Sequence, residues 1–241
     1  MNPYVRINEC VEERLTMKTI KISNNVIRRM PRYLRKLDEL SAAGVERISS
    51  NELGRQLGLT PSQIRQDFSC FGEFGQQGYG YNLVSLRNEI AAILGMDRGY
   101  KAIVMGVGKI GRALLDHFSF EACGFQLLAA FDPDKRMIGK STLRGIPIYD
   151  SATVNDFCAQ NNVDVAVLCV PSEYAQIAAD AAVKAGVKGI WNFTNAVVEI
   201  PEDSGIIKED LYFSDSLLTL EYYLAERMDE QVALKARMEQ H

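Results

Sequence analysis

With 241 residues, 47% of them hydrophobic and 24% charged, and a formal net charge of −4, the chain has the balance of a folded globular protein large enough for two modest domains. No apolar run approaches the roughly 20 residues of a membrane span, and residues 1–15, MNPYVRINECVEERL, carry charge throughout with no apolar signal core, so a cytoplasmic protein with no membrane partner is expected. Five cysteines without paired spacing and only two histidines, His117 and His241, argue against a disulfide framework and against a bound metal.

Residues 1–20 carry no motif and are expected to be an extension. From Ser23, a candidate N-cap, Val26, Met30, Tyr33, Leu34, Leu37 and Leu40 recur at helical spacing as far as Gly44, a candidate C-cap residue. Pro31 inside this pattern predicts a kink or a helix that starts near it. Arg28, Arg29, Arg32, Arg35 and Lys36 crowd this helix, as a solvated face or as a surface for phosphate or another domain. Over residues 1–95, 13 Lys and Arg against 10 Asp and Glu leave +3, while the rest carries 14 against 21, or −7. A mildly basic first half permits contact with nucleic acid.

Ser49 and Glu52 are spaced as a capping box, and Gly58 closes the short helix they open. Thr60 as N-cap, Pro61 at the first helical position and Gln63 then start another, to about Phe71. Two short capped helices joined at a glycine are the pattern of a helix-turn-helix. Ile64 and Phe68 should face its core, leaving Ser62, Arg65, Gln66 and Ser69 toward bases and phosphates. The glycine- and aromatic-rich stretch FGEFGQQGYGYN reads as a β-hairpin wing. Ser50 on the first short helix and Gln76, Gln77 and Tyr79 of the wing complete the candidate DNA-contacting set. A linking helix to Gly95 follows, so a winged-helix domain is expected over 21–97.

Tyr100 to Gly111, YKAIVMGVGKIG, reads as an apolar strand, then Gly106-x-Gly108-x-x-Gly111, then a helix. That order is a dinucleotide-binding turn: the first glycine permits a tight turn, the second lets backbone approach a pyrophosphate, and the third lets helix pack on strand. The helix N-terminus adds unpaired N–H groups and partial positive charge. Phe125 to Asp132 is a second apolar run, and its terminal acid, 21 residues beyond Gly111, can accept from ribose hydroxyls. Segments 146–149, 164–170 and 189–193 read as further strands, with a helix after Ser151 and another capped by Ser172 and running to Lys184. The candidate cofactor residues are Gly106, Val107, Gly108, Lys109, Ile110 and Gly111 of the turn, Asp132, and Val170, Pro171, Asn192 and Phe193 at two strand ends. A doubly wound parallel sheet is expected over 98–213. From Ser214, Leu217, Leu220, Tyr223, Leu224 and Met228 line one face of a terminal helix, which either folds onto its own domain or reaches a partner subunit.

Two readings of function follow: a small NAD-dependent dehydrogenase, or a DNA-binding regulator whose ligand is the dinucleotide. Only 142 residues follow residue 99, which the dinucleotide fold consumes, and no general acid–base pair accompanies it. The regulator is therefore favoured, with an enzyme not expected.

RRMPRYLRKLDEL, GVERISSNELGRQLGLTPSQIRQD, FGEFGQQGYGYN, MGVGKIGRAL, AAFDPD, VPSEYAQ, AGVKGIWNF and SDSLLTLEYYL, in this order, resemble the Rex family of redox-sensing repressors. The resemblance implies a homodimer with a winged-helix domain and a Rossmann domain per subunit. It also implies a helix over 214–241 exchanged between subunits, and operator DNA released by NADH and not by NAD⁺. It makes Arg65 the recognition-helix arginine, and Arg35 and Asp215 a pair formed across domains in one of two states. Gln66, Gln76 and Gln77 stand where the family carries basic residues, and His117 where it carries a switch tyrosine. Fewer phosphate-facing charges imply weaker non-specific affinity and a flatter salt dependence, or a relative with weakened DNA binding.

Overall fold

The computed structural model describes residues 22–71 and 79–238, with side chains as far as 231. The expected extension over 1–20 and the wing residues Gln76 and Gln77 lie outside the described residues. The chain divides into two compact units, one to Asp97 and one from Arg98.

In the first unit, α1 (Asn24–Ala42) begins ahead of Pro31 and is continuous through it, so the alternative of a helix that starts near Pro31 does not hold. Ser23 Oγ accepts from the Val26 N–H at 3.4 Å. At the other end Gly44 takes a left-handed φ of 77°, and the Gly44 and Val45 N–H groups donate to the carbonyls of Ser41 and Leu40. α2 (Ser50–Leu57) is capped by Ser49, whose Oγ accepts from the Glu52 N–H at 3.1 Å. Only that arm of the capping box forms, because the Glu52 carboxylate lies along the helix on Arg55 and Gln56. Thr60 Oγ1 accepts from the Gln63 N–H at 3.2 Å to open α3 (Pro61–Ser69), two residues shorter than expected. The turn between them needs a glycine inside α2: a Cβ on Gly54 would stand 2.5 Å from the Leu59 carbonyl oxygen. β1 (Arg47–Ile48) pairs antiparallel with β2 (Tyr81–Asn82), and Asn82 Oδ1 caps α4 (Leu83–Ile93). The helices close on one core that includes Met30, Tyr33, Leu37, Leu53, Ile64, Phe68, Leu83 and Ile90.

The second unit is built on six parallel strands. They are β3 (Tyr100–Met105), β4 (Phe125–Asp132), β5 (Ile148–Asp150), β6 (Val165–Leu168), β7 (Gly189–Asn192) and β8 (Ile207–Asp210). Their order is β5-β4-β3-β6-β7-β8. This is the strand order of a dinucleotide-binding sheet, with the reversal between β3 and β6 opening a crevice at the strands' carboxyl ends. Ile103 and Met105 face a core closed by α6 (Val154–Asn161) and α7 (Ala175–Lys184), while Ala102 and Val104 face the one that holds Leu115 of α5 (Lys109–His117). Strands covered on both faces must be apolar at successive positions, which is why they read as unbroken apolar runs. Ser172 does not cap α7. It opens a 3₁₀ turn, Ser172–Tyr174, closed by the Tyr174 N–H on the Pro171 carbonyl, and its Oγ turns to Glu173.

The terminal helix α8 (Phe213–Met238) leaves Leu217, Leu220, Leu224 and Met228 between 53% and 66% exposed. Among the described residues no helix is long and apolar enough to cross a membrane.

Candidate functional site

β3 delivers the chain into the glycine turn against β6. Gly106 adopts φ +98°, and a Cβ there would lie 2.8 Å from the Cys169 backbone. A Cβ on Gly111 would come within 1.9 Å of the Gly106 carbonyl oxygen, so α5 can approach the turn only with glycine there. Gly108, at the N-cap of α5, differs: no atom lies within 4 Å of where its Cβ would stand. That open space over bare backbone, at an uncapped helix N-terminus, fits a pyrophosphate.

The turn faces a cleft of about 720 Å³ at the reversal of strand order, within the range of small-ligand sites. Of the candidate cofactor residues, Gly106, Val107, Gly108, Asp132, Val170 and Pro171 line it. Asp132 also closes the turn: Oδ2 accepts from the Val107 N–H at 2.7 Å and Oδ1 from the Asp134 N–H at 2.9 Å. Each oxygen keeps a second lone pair for a ribose hydroxyl. Cys169 lines the wall as a neutral thiol, since burial pushes its pKa up to about 12.

Other expected cofactor residues stand elsewhere. Lys109 and Ile110 are exposed at the start of α5, and Gly111 lies behind the turn; none lines the cleft. Asn192 is buried and committed: its amide donates to the Ala196 carbonyl and the Asp210 carboxylate, and its Oδ1 accepts from the Thr194 N–H and hydroxyl. Phe193 is a core ring, its centroid 4.5 Å from that of Trp191. In their place the cleft takes Arg112, Met137, Tyr174 and Ile177. Arg112, one helical turn beyond Gly108, had a readable signal; Met137 and Tyr174 come from irregular turns and had none.

In the first unit, Ile64 and Phe68 are buried and Ser62, Arg65, Gln66 and Ser69 share the outer face of α3. The Arg65 guanidinium donates to Ser50 Oγ at 3.0 Å and to Ser62 Oγ at 3.3 Å, which brings three candidate DNA-contacting residues together. Ser69 Oγ donates to the Gln66 carbonyl of its own helix. Tyr79 is 72% exposed, and its carbonyl accepts from Arg47. The basic residues of α1 divide: Arg29 lies on buried Asp67, Arg32 donates to the Leu57 carbonyl, Lys36 pairs with Glu39, and Arg35 is exposed.

Residues 21–69 match the family described as putative DNA-binding protein N-terminus, and residues 97–196 the CoA binding domain family. A redox-sensing transcriptional repressor Rex from Thermoanaerobacter pseudethanolicus is 47% identical over 209 residues, 87% of this chain and 92% of that protein. The chain belongs to the Rex family of redox-sensing transcriptional repressors.

Rex-family crystal structures have the same fold. RSP in complex with β-NAD⁺ and operator DNA is 46% identical, covers 89% of this chain and 97% of its own, and superposes with a TM-score of 0.79. RSP in complex with β-NADH gives the same TM-score at 43% identity, covering 89% and 99%. The Rex relatives are repressors, not enzymes, in keeping with the absence of an acid–base pair expected from the sequence. Of the three positions expected to form the switch, Arg35 is exposed on α1 and His117 is exposed at the end of α5. Asp215 sits in the first turn of α8, where a carboxylate is favoured by the helix dipole.

Proposed function

We propose that this Rex-family chain represses transcription as a cytoplasmic homodimer, binding operator DNA through α3 and releasing it when NADH occupies the glycine-turn cleft. The carrying observation is the open Gly108 backbone above a cleft of about 720 Å³, in a chain that also presents a preorganised Arg65 on a helix-turn-helix. RSP in complex with β-NAD⁺ and operator DNA, and RSP in complex with β-NADH, support the same pairing of ligands.

The chain's own residues would act as follows. Gly108 offers the pyrophosphate bare backbone and the α5 dipole, on a turn shaped by the Gly106 N–H on the Phe131 carbonyl and the Val107 N–H on Asp132. Asp132 accepts from ribose hydroxyls and repels a 2′-phosphate. Pro171, Tyr174 and Ile177 give the far end of the cleft an apolar wall. The reduced nicotinamide ring is uncharged and the oxidised ring is cationic, so that wall favours NADH. In α8, Leu217, Leu220, Leu224 and Met228 would be covered by the second subunit.

The test is a titration. The protein is bound to a fluorescent palindromic duplex that it has enriched from a random pool, and NADH or NAD⁺ is then added. NADH should release the duplex, and NAD⁺ at the same concentration should not. A wild-type chain that enriches no duplex would overturn the proposal.

A further inference from the structure

The buried face of α3 carries one charged side chain. Asp67 is 2% exposed between Ile64 and Phe68, and it accepts from Arg29 Nε and Nη2 at 2.7 Å each and from the Tyr33 hydroxyl at 2.7 Å. Both donors stand on α1, one helical turn apart. α1 also holds the other half of the motif, through Arg32 on the Leu57 carbonyl at the end of α2. Two of its arginines are therefore internal fastenings of the helix-turn-helix.

Apolar contacts alone leave a nine-residue helix such as α3 free to roll and slide, since burial is non-directional. A two-point guanidinium–carboxylate fork fixes both movements, because its two parallel bonds hold only in one plane and register. Arg65 stands two residues from Asp67 on the outer side of the same helix. A roll of about 20° would carry a guanidinium about 8 Å from the helix axis sideways by roughly 3 Å, beyond what hydrogen bonds to a base edge tolerate.

We propose that Asp67 is a positioning residue for operator recognition: with Arg29 and Tyr33 it sets the roll of α3 and so the aim of Arg65 at the base edges. This rests on the DNA-binding reading above. Asp67 touches no DNA. Tyr33 is held in the network by burial and by Asp67, which raise its pKa far above the ordinary phenol value, so it stays a hydrogen-bond donor across the working pH range. Its ring packs edge-on against Phe68 at 5.0 Å, so Tyr33→Phe removes the hydroxyl and keeps the packing.

The experiment uses the full-length chain and two variants, Asp67→Asn and Tyr33→Phe. Each is measured against the palindromic duplex enriched by the wild type and a scrambled duplex of equal length, with folded fraction matched by circular dichroism and NADH titration. Asp67→Asn should weaken the enriched duplex at least tenfold, leave the scrambled duplex within about twofold, and leave NADH affinity unchanged. Tyr33→Phe should shift in the same direction by a smaller factor. Folded variants that bind the enriched duplex as the wild type does, or that lose both duplexes in proportion, overturn the proposal and leave Asp67 a stabiliser only. If Asp67→Asn does not fold, Tyr33→Phe decides by the same criterion. A wild type that enriches no duplex overturns the DNA-binding reading and this proposal with it; a wild type that does, with indifferent variants, overturns this proposal alone.

Discussion

Arg65 Nη1 donates to Ser50 Oγ at 3.0 Å, joining α3 to the start of α2. The bond holds a long side chain in one rotamer before DNA arrives, and less entropy is then lost on docking. Arg65→Ala should remove about 1–3 kcal/mol of operator affinity per half-site and leave NADH affinity unchanged. Ser50→Ala should cost less, in the same direction. Anisotropy with the enriched duplex checks both. Undiminished operator binding by Arg65→Ala would remove the arginine from the interface.

The assignment of Asp132 to the ribose predicts preference for NADH over NADPH, because a carboxylate there would repel a 2′-phosphate. Lys135 and Arg136 follow it in the chain, but they offset this less than two cations would. Arg136 is taken up by Asp134, whose carboxyl its hydrogen bond brings down to about 2. Calorimetry should show NADPH binding more weakly than NADH, and equal affinities would sink the assignment. Asp132→Ala should narrow the gap. It should also lower NADH affinity itself, since it frees the Val107 and Asp134 N–H groups that shape the turn.

A pH dependence is built into the amino end of the sheet. Burial raises the Asp164 pKa, but the Lys188 ammonium at 2.6 Å and the Lys101 N–H at 2.9 Å outweigh it, so the net shift is downward. A folded pKa below the unfolded one gives stability that is fully present above the unfolded value, about 3.9, and lost as pH falls through the folded value. The difference in urea midpoint between wild type and Asp164→Asn should therefore be constant from about pH 5 to 7 and shrink below about pH 4. A difference that persists unchanged to pH 3 would contradict the assignment.

Local chemistry was what the sequence displayed most openly. Ser23, Ser49 and Thr60 each act as N-caps because a side-chain oxygen directly ahead of a helix accepts from backbone N–H groups within one turn of chain, whereas Ser172 is separated from α7 by a 3₁₀ turn. The glycine turn was legible for the same reason. Strands β1 and β8 were not: the first is two residues long, and the second leaves Ile207 77% exposed, so neither shows an apolar run. Asn192 misled because a polar residue at a strand end can serve a ligand or its own loop, and only the packed chain shows that Ala196, Asp210 and Thr194 use every polar atom it has. Arg29 misled likewise, since pairing with Asp67 spans 38 residues.

Truncation tests the terminal helix. Burying a large apolar side chain is worth about 1.5–3 kcal/mol, and α8 presents several that its own unit leaves exposed. Deleting everything after Phe213 should yield monomer or aggregate by light scattering and sedimentation. A well-folded, NADH-binding dimer from that truncation would show that dimerisation runs through another surface.

The switch itself makes the strictest prediction. A symmetric dimer reads two successive major grooves when its recognition helices stand about 34–36 Å apart. NADH can change that spacing only through different affinity for the two arrangements. By reciprocity, saturating operator must weaken NADH binding by the same factor by which NADH weakens operator binding. Arg35, past the middle of α1, and Asp215, in the first turn of α8, belong to separate compact units and are both exposed, and the family resemblance makes them a pair in one of the two arrangements. Asp215→Ala should leave each ligand able to bind alone and reduce the coupling factor. His117→Tyr, at the end of α5, should alter the coupling and not the affinity for the enriched duplex without cofactor. Calorimetric NADH titrations with and without the duplex measure all of this. If NADH affinity is the same in both, the cleft does not control the DNA, and the glutamines at 66, 76 and 77 would then mark a dinucleotide-binding relative whose operator function has weakened.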